Sequence, residues 1–196
     1  MRRSQFNEDE YIEAVFSDIG FGSRVLVDIG ARLECSNSAN LIVSHEFQAN
    51  LYEQNANHCA ELRKCFPKAN VEAMTVTPEI VNQIVPENTW FLTLDIDSCD
   101  WWVWANLRHK PALVVVETNP VQGFFVASYP CRQADPDGYG MSVDAAKWLG
   151  EKKGYDYIGR SKVNCFFVRK DLNCKYRLPE IKEHAGSPCR TKNNVF

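Results

Sequence analysis

The sequence predicts an α/β fold with three layers, helices on both sides of a mostly parallel sheet, and three observations lead to this prediction. Segments with the helical spacing of apolar residues alternate with short apolar runs that are typical of buried strands. Most of these runs end in acidic or other polar residues, at the sheet edge where parallel sheets bind ligands. Only a few polar residues separate the last two runs, which predicts an antiparallel hairpin at one edge of the sheet.

The order of the elements follows from the two periodicities. Helices are predicted over residues 11–19, 37–44, 55–65, 78–84, 101–107 and 142–153. Strands are predicted over residues 24–29, 51–53, 70–76, 90–96, 112–117, 155–159 and 163–169. Ser142 is expected to cap the last helix and Gly154 to end it. The loop over residues 118–140 is expected to be a lid over the strand ends, because loops of that length without regular structure usually have a function.

Composition sets the class of protein. The 196 residues, of which 45% are hydrophobic, are predicted to form one domain over residues 1–172 and a draped or mobile tail over residues 173–196. No signal-peptide pattern or membrane-length apolar run is present, so we expect a cytoplasmic protein that does not bind membranes. The net charge of -3 argues against nucleic acid as a partner. A homo-oligomer is left open.

Tryptophan, histidine and cysteine residues add no catalytic group to these predictions. Trp101, Trp102 and Trp104 fall in one predicted helix, where core packing is their expected role. None of the four histidines lies at a predicted strand end. The eight cysteines are scattered and are expected to be free thiols. The spacing of Cys174, His184 and Cys189 in the tail matches no standard zinc pattern.

The end of the first predicted strand is a candidate nucleoside-binding site. Gly30 lets the backbone approach a ligand closely. Glu53 lies about two dozen positions further on, at the end of the next strand, and can accept both hydroxyls of a ribose. The alternative is that Gly30 only makes a tight turn and Glu53 is a solvated strand end. The Gly-x-Gly-x-x-Gly pattern is absent, which argues against a nicotinamide dehydrogenase.

A group of acidic residues follows the fourth predicted strand. Asp95, Asp97 and Asp100 lie within six positions, and Glu117 and Asn119 lie at the end of the neighbouring strand. Such oxygen ligands suit Mg²⁺, Mn²⁺ or Ca²⁺, which would polarise an acceptor hydroxyl. Two alternatives stay open. Either one carboxylate acts directly as a general base, or Asp97 or Asp100 caps the next helix while Asp95 orients a cofactor.

Taken together, several segments of the chain resemble a known family. It is a family of bacterial and viral proteins similar to S-adenosylmethionine-dependent methyltransferases, and distantly related to the FkbM-type O-methyltransferases of sugars and small molecules. The resemblance covers residues 5–172, and the combination of segments is more specific than any one of them. The segments are residues 7–9, 27–31, 34–41, 94–97, 102–104, 115–119, 138–142 and 163–168.

The resemblance implies a Rossmann-like methyltransferase fold, S-adenosylmethionine as cofactor and a small or sugar-like acceptor. By this likeness Asp28, Gly30, Ala31 and Asn37 would bind the cofactor. Glu53 would hold its ribose, and Asp95 would lie beside the methyl donor. The implied catalytic residues are Asp95, Asp97 and Glu117. A divalent cation such as Mg²⁺ would be held, by analogy with metal-assisted O-methyltransferases, by Asp95, Glu117 and Asn119.

Two segments depart from the family's pattern. The loop over residues 30–37 is shorter than in relatives and lacks their second glycine, and residues 97–100 replace an Asp-Gly-Asn-Asp sequence. Both changes are expected to narrow the cofactor site or weaken donor binding. The sequence therefore leaves two alternatives to a methyltransferase. One is a non-catalytic binding protein on the same scaffold, and the other is a metal-dependent sugar-processing or hydrolytic enzyme.

Overall fold

The structure is a computed structural model that describes residue 4 and residues 6–33, 36–119, 122–130 and 140–180. Its strands are β1 (Val25–Ile29), β2 (Gln48–Glu53), β3 (Asn70–Ala73), β4 (Phe91–Leu94), β5 (Leu113–Glu117), β6 (Tyr155–Arg160) and β7 (Asn164–Arg169). Its α-helices are α1 (Glu8–Ile19), α2 (Ala39–Ser44), α3 (Ala56–Cys65), α4 (Val81–Ile84), α5 (Asp100–Asn106) and α6 (Val143–Lys153). A single 3₁₀ turn (Lys170–Leu172) follows β7.

The seven strands form one sheet in the order β3-β2-β1-β4-β5-β7-β6. β1 to β5 are parallel to one another, and β7 runs antiparallel to both β5 and β6. The chain order reverses between β1 and β4, the position where open α/β sheets leave a crevice at the carboxyl ends of their strands. The predicted fold class, including the antiparallel hairpin of the last two strands, is confirmed.

Alternating side chains of the strands build two cores, one on each face of the sheet. Leu26, Phe91 and Val115 pack on one face with apolar residues of α1, α2 and α3. Val27 and Leu92 point to the other face and pack with residues of α4, α5 and α6. We call these the α1 face and the α6 face.

Several elements differ in length from their predicted ranges. β2 begins at Gln48, three residues earlier than predicted, because the Gln48 N–H donates to the carbonyl of Arg24 at 2.8 Å and extends the parallel pairing. Polar Gln48 and Asn50 hide this strand from the hydrophobic pattern. α4 contains only Val81–Ile84, because the residues before it form turns in which the N–H of Ile80 donates to Thr77.

The caps of α6 and the core position of Trp104 match the prediction. The Ser142 hydroxyl accepts the N–H of Ala145 at 3.2 Å, and Gly154 ends the helix with a φ of +85°. Trp104 is fully buried. Trp101 and Trp102, by contrast, are half-buried and contact each other with ring centroids 4.8 Å apart. Core packing therefore describes only one of the three tryptophans fully.

The described part of the predicted tail packs on the domain. Asp18 of α1 accepts the N–H groups of Lys175 and Tyr176, and Leu178 donates its N–H to Ile158 of β6. Cys174 is a buried free thiol, as are most of the described cysteines. No helix in the described ranges is long and apolar enough to cross a membrane. The remaining tail predictions, including His184 and Cys189, lie outside the described residues, as do residues 120, 121 and 131–139 of the predicted lid.

Candidate cofactor and acceptor site

Polar side chains collect at the carboxyl ends of the strands, on the α1 face of the sheet. Strand alternation places Asp28, Glu53, Thr93 and Glu117 on the same side as the apolar residues that contact α1. Asp95 follows β4 directly, and its N–H donates to the carbonyl of Ile29 at 2.9 Å. The reversal in strand order between β1 and β4 thus lies at the centre of this polar row.

Gly30 joins the ends of β1 and β4. Its φ is +88°, and a Cβ atom added to it would lie 1.7 Å from the backbone oxygen of Asp95. The N–H groups of Gly30 and Ala31 both donate to the carbonyl of Tyr52, at 2.8 Å and 3.1 Å. The close backbone approach predicted for Gly30 is therefore made to Asp95. The cofactor-binding roles of Gly30 and Ala31 stay predictions.

Asp28 and Asn37 tie the loop after β1 to the sheet. The Ser38 hydroxyl donates to Asp28 Oδ2 at 2.5 Å, and the Asn37 amide donates to the Thr93 hydroxyl at 3.1 Å. Both residues are buried. Burial raises the pKa of Asp28 to about 7, against the opposing effect of the Ser38 hydrogen bond. These contacts attach Asn37 and Ser38 to the sheet. A direct contact of Asp28 or Asn37 with a cofactor stays a prediction.

Glu53 ends β2 and is buried. Its Oε1 accepts the N–H of Asn55 at 2.7 Å and lies 3.5 Å from Nδ1 of His58. Of the two roles predicted for Glu53, a ribose ligand and a solvated strand end, burial argues against the second. His58 was not predicted to lie near the site. His58 is the third residue of α3, and this helical position carried no signal for the contact.

Three side chains, which we call the carboxyl cluster, lie close together: Asp95, Asp97 and Glu117. One carboxyl oxygen of each residue lies within 4.8 Å of the others. Burial and the charges of Asp95 and Asp97 raise the pKa of Glu117 to about 10. Burial and the Asp97 charge also raise the pKa of Asp95, which the Glu117 hydrogen bond and Arg32 oppose. At neutral pH Glu117 is therefore protonated and hydrogen-bonded to Asp95. Three predicted site residues are brought together here.

Asp100 supports the loop that carries Asp97. Its buried carboxylate accepts the N–H of Ile96 at 2.9 Å and the N–H of Ser98 at 3.0 Å. Burial raises the pKa of Asp100 to about 6. Asp97 itself is exposed and has a φ of +56°. Asp100 thus fixes the strained loop instead of pointing at the carboxyl group of Asp95.

Asn119 is the third member of the predicted metal set. Its backbone N–H donates to the carbonyl of Met141 at 2.7 Å, and it forms an isolated parallel bridge with Ser142. These contacts connect the end of β5 to the start of α6. Asp97, which belongs to the predicted catalytic set, lies with Asp95 and Glu117 in the carboxyl cluster. The metal set stays a prediction.

Comparisons with known proteins bear on the fold. No family model matches the sequence, and no curated protein matches it. Among solved structures, the chain is similar to 1,6-didemethyltoxoflavin-N1-methyltransferase of Burkholderia thailandensis, solved with S-adenosylhomocysteine. That likeness has a TM-score of 0.53 and 10% sequence identity, over 83% of this chain and 77% of the other.

A second similar structure is CalS10 of Micromonospora echinaspora, an amino pentose methyltransferase solved with S-adenosylmethionine. Here the TM-score is 0.52 and the sequence identity 10%, over 83% of this chain and 89% of the other. At this level of identity the likeness shows the fold. The chain has the Rossmann-like fold of S-adenosylmethionine-dependent methyltransferases, as the resemblance implied. The more specific likeness to FkbM-type enzymes stays a prediction.

Proposed function

We propose that this chain is an S-adenosylmethionine-dependent methyltransferase that methylates an oxygen of a small or sugar-like acceptor. The observation that carries the proposal is the row of buried and half-buried carboxyl groups at the reversal of strand order. Its members are Asp28, Glu53, Asp95 and Glu117. The fold supports the same activity, since solved proteins of this fold bind S-adenosylmethionine and S-adenosylhomocysteine.

The charge of the site fits a cationic cofactor. Burial and mutual proximity raise the pKa values of Asp95 and Glu117, and the positive charge of Arg32 opposes this shift only in part. S-adenosylmethionine carries a sulfonium and an ammonium cation, and supplies an electrophilic methyl group when bound. Glu53 would hold the ribose hydroxyls, and Asp95 would face the charged end of the cofactor.

The carboxyl pair of Asp95 and Glu117 provides the base for the acceptor. Ionised Asp95 accepts the proton of the acceptor hydroxyl as the oxygen becomes a nucleophile. Protonated Glu117 donates its hydrogen bond to Asp95 and keeps that carboxylate oriented. The sugar-like acceptor class is supported by the amino pentose activity of the CalS10 enzyme and by the resemblance to FkbM-type sequences.

The carboxyl cluster can also act by binding a divalent cation. Asp95, Asp97 and Glu117 offer three oxygens within 4.8 Å of one another, a spacing that one cation can bridge. The choice is decided by titrating the protein with Mg²⁺ in a calorimeter. Saturable heat that Asp97→Asn abolishes favours the cation, and its absence leaves the carboxyl pair as the base.

The ribose contact is tested by Glu53→Gln, which keeps the shape of the side chain and removes its charge. Because an uncharged amide accepts hydrogen bonds from hydroxyl groups more weakly than a carboxylate does, we expect the affinity for S-adenosylhomocysteine to fall at least about tenfold. The matched control is Glu61→Gln on the exposed side of α3, which should leave the affinity unchanged. Equal affinities of the Glu53→Gln variant and the wild type would show that Glu53 does not bind the cofactor.

A non-catalytic binding protein is the alternative that the shortened loop over residues 30–37 favours. Such a protein would bind a metabolite without consuming S-adenosylmethionine. Replacement of Asp95 by Ala should then leave its activity in cells intact, whereas a methyltransferase should lose it.

A further inference from the structure

A buried polar cluster joins the first turn of α1 to the start of β7. Glu8 is fully buried, and its Oε1 accepts the Ser161 hydroxyl at 2.6 Å and the Asn164 amide at 3.2 Å. Its other oxygen accepts the N–H of Phe6 at 2.7 Å. Both oxygens of the Glu8 carboxylate are therefore occupied by protein donors.

These contacts fix the orientation of the Asn164 amide. Its Nδ2 is committed to Glu8, and a flipped amide would set its oxygen against a carboxylate oxygen. The side-chain oxygen Oδ1 of Asn164 is buried, and no donor within the described residues reaches it. Buried acceptors without a donor are rare, and each calls for a partner such as a water or a ligand.

Asn164 lies beside Glu117, the partner of the candidate base Asp95. Asn164 pairs with Glu117 in the antiparallel register of β5 and β7. Directly opposed residues share a face of the sheet and have Cβ atoms about 5 Å apart. The Asn164 amide and the Glu117 carboxyl are thus neighbours on the α1 face, and Glu117 is hydrogen-bonded to Asp95. An acceptor molecule at Asp95 would have to extend past Glu117 to reach Asn164.

We propose that Asn164 positions the acceptor by accepting a hydrogen bond from a second donor group, adjacent to the hydroxyl that is methylated. The inference rests on the proposed function and narrows its substrate class to molecules with two neighbouring donors, such as vicinal diols and amino alcohols. Glu8 and Ser161 hold the amide in the required orientation. Because Oδ1 is closed to solvent in this structure, the groups that cover it have to shift when the acceptor binds.

The test uses the protein saturated with S-adenosylhomocysteine and pairs of small probes. The pairs are catechol with phenol, and methyl α-D-glucopyranoside with its single-deoxy analogues. Affinities are measured by ligand-observed NMR. We expect the two-donor probe of at least one pair to bind about fivefold more tightly than its partner, the effect of one added hydrogen bond. Asn164→Leu, which has a similar shape and no acceptor, should bind both members of that pair equally.

A paired variant separates recognition from folding. Asn164→Asp alone places two carboxylates against each other and should lower stability. Glu8→Gln combined with Asn164→Asp restores a donor and an acceptor with their direction reversed, and leaves an acceptor oxygen at position 164. The double variant should therefore fold and keep the preference for two-donor probes. A structural role alone would not change the ratio of the two affinities.

Three results would overturn the proposal. They are equal binding of the probes within each pair by the wild type, no binding of any two-donor probe, and an unchanged preference in Asn164→Leu. Failure to bind S-adenosylhomocysteine in the first place is a different result, because it contradicts the proposed function before Asn164 is tested.

Discussion

At the scale of single residues, Gly30 shows how a correct choice of residue can have a different physical reason. A glycine at this position was predicted to let a ligand approach the backbone, but the atom that approaches it is the backbone oxygen of Asp95. A backbone oxygen cannot move away as the end of a flexible side chain can. The glycine is therefore required by the junction of β1 and β4, whatever binds there.

This requirement gives a stability prediction. Gly30→Ala should lower the free energy of unfolding by more than about 4 kcal/mol, because the new Cβ overlaps backbone. Gly20→Ala is the matched control, since Gly20 has a similar φ of +84° and nothing within 4 Å of the added atom. It should cost about 1–3 kcal/mol from backbone strain alone. Urea unfolding measures both, and equal losses would contradict the packing role of Gly30.

Asp28 gives a pH dependence whose sign follows from its burial. Its pKa is about 7 in the folded chain, above the ordinary value of 3.8, so the folded chain holds the proton more tightly between these pH values. The free energy of unfolding therefore falls as pH rises from about 4 to about 7, by about 4 kcal/mol. Above that range this residue adds no further loss.

Asp28→Asn removes this titration while keeping an oxygen that can accept the Ser38 hydroxyl. The variant should gain stability relative to the wild type as pH rises from 4 to 8, measured by urea unfolding at both pH values. For Asp144→Asn, at an exposed position of α6, the free energy of unfolding should change with pH as it does in the wild type. A constant difference between Asp28→Asn and the wild type would show that Asp28 is ionised throughout.

At the scale of elements, the features that depend on neighbouring residues were predictable from the sequence. Ser142 and Gly154 fix the two ends of α6 within a few residues of themselves, and both were predictable. Carboxylates at strand ends were predictable too, because alternation and burial leave few other places for them. The contact between Glu8 and Asn164 spans 156 positions, and only the packing of α1 on β7 creates it. Asn164 looked like an ordinary strand start.

The packing of α6 on the sheet depends on Gly150. Alanine at an internal helix position is normally more stable than glycine by about 1 kcal/mol. Here the added Cβ would lie 2.6 Å from the ring of Phe167, so we expect Gly150→Ala to destabilise the protein by about 1–3 kcal/mol. Thermal unfolding measures the change. In the background of Phe167→Leu the same substitution should cost less, and a stabilising effect in the wild type would contradict this packing.

At the scale of the whole molecule, the fold gathers acidic groups from β1, β2, β4 and β5 on one face and at one edge. The polar ends of the predicted strands indicated this edge, because the carboxyl ends of parallel strands meet there. The common face of the acidic groups is seen only in the structure. The hydrogen bond between Asp95 and Glu117 was not predictable, since it depends on a distance between two strands. The acidic edge is the reason to expect a cationic cofactor.

The central claim is tested most directly by titrating the folded wild-type protein with S-adenosylmethionine in a calorimeter at neutral pH. Binding should be saturable with one site per chain. In addition, Asp95→Asn should weaken the binding of S-adenosylmethionine more than the binding of S-adenosylhomocysteine, because only S-adenosylmethionine carries the sulfonium charge. Absence of heat with both compounds at millimolar concentration, in a sample shown to be folded, would contradict the claim that this edge binds a methyl donor.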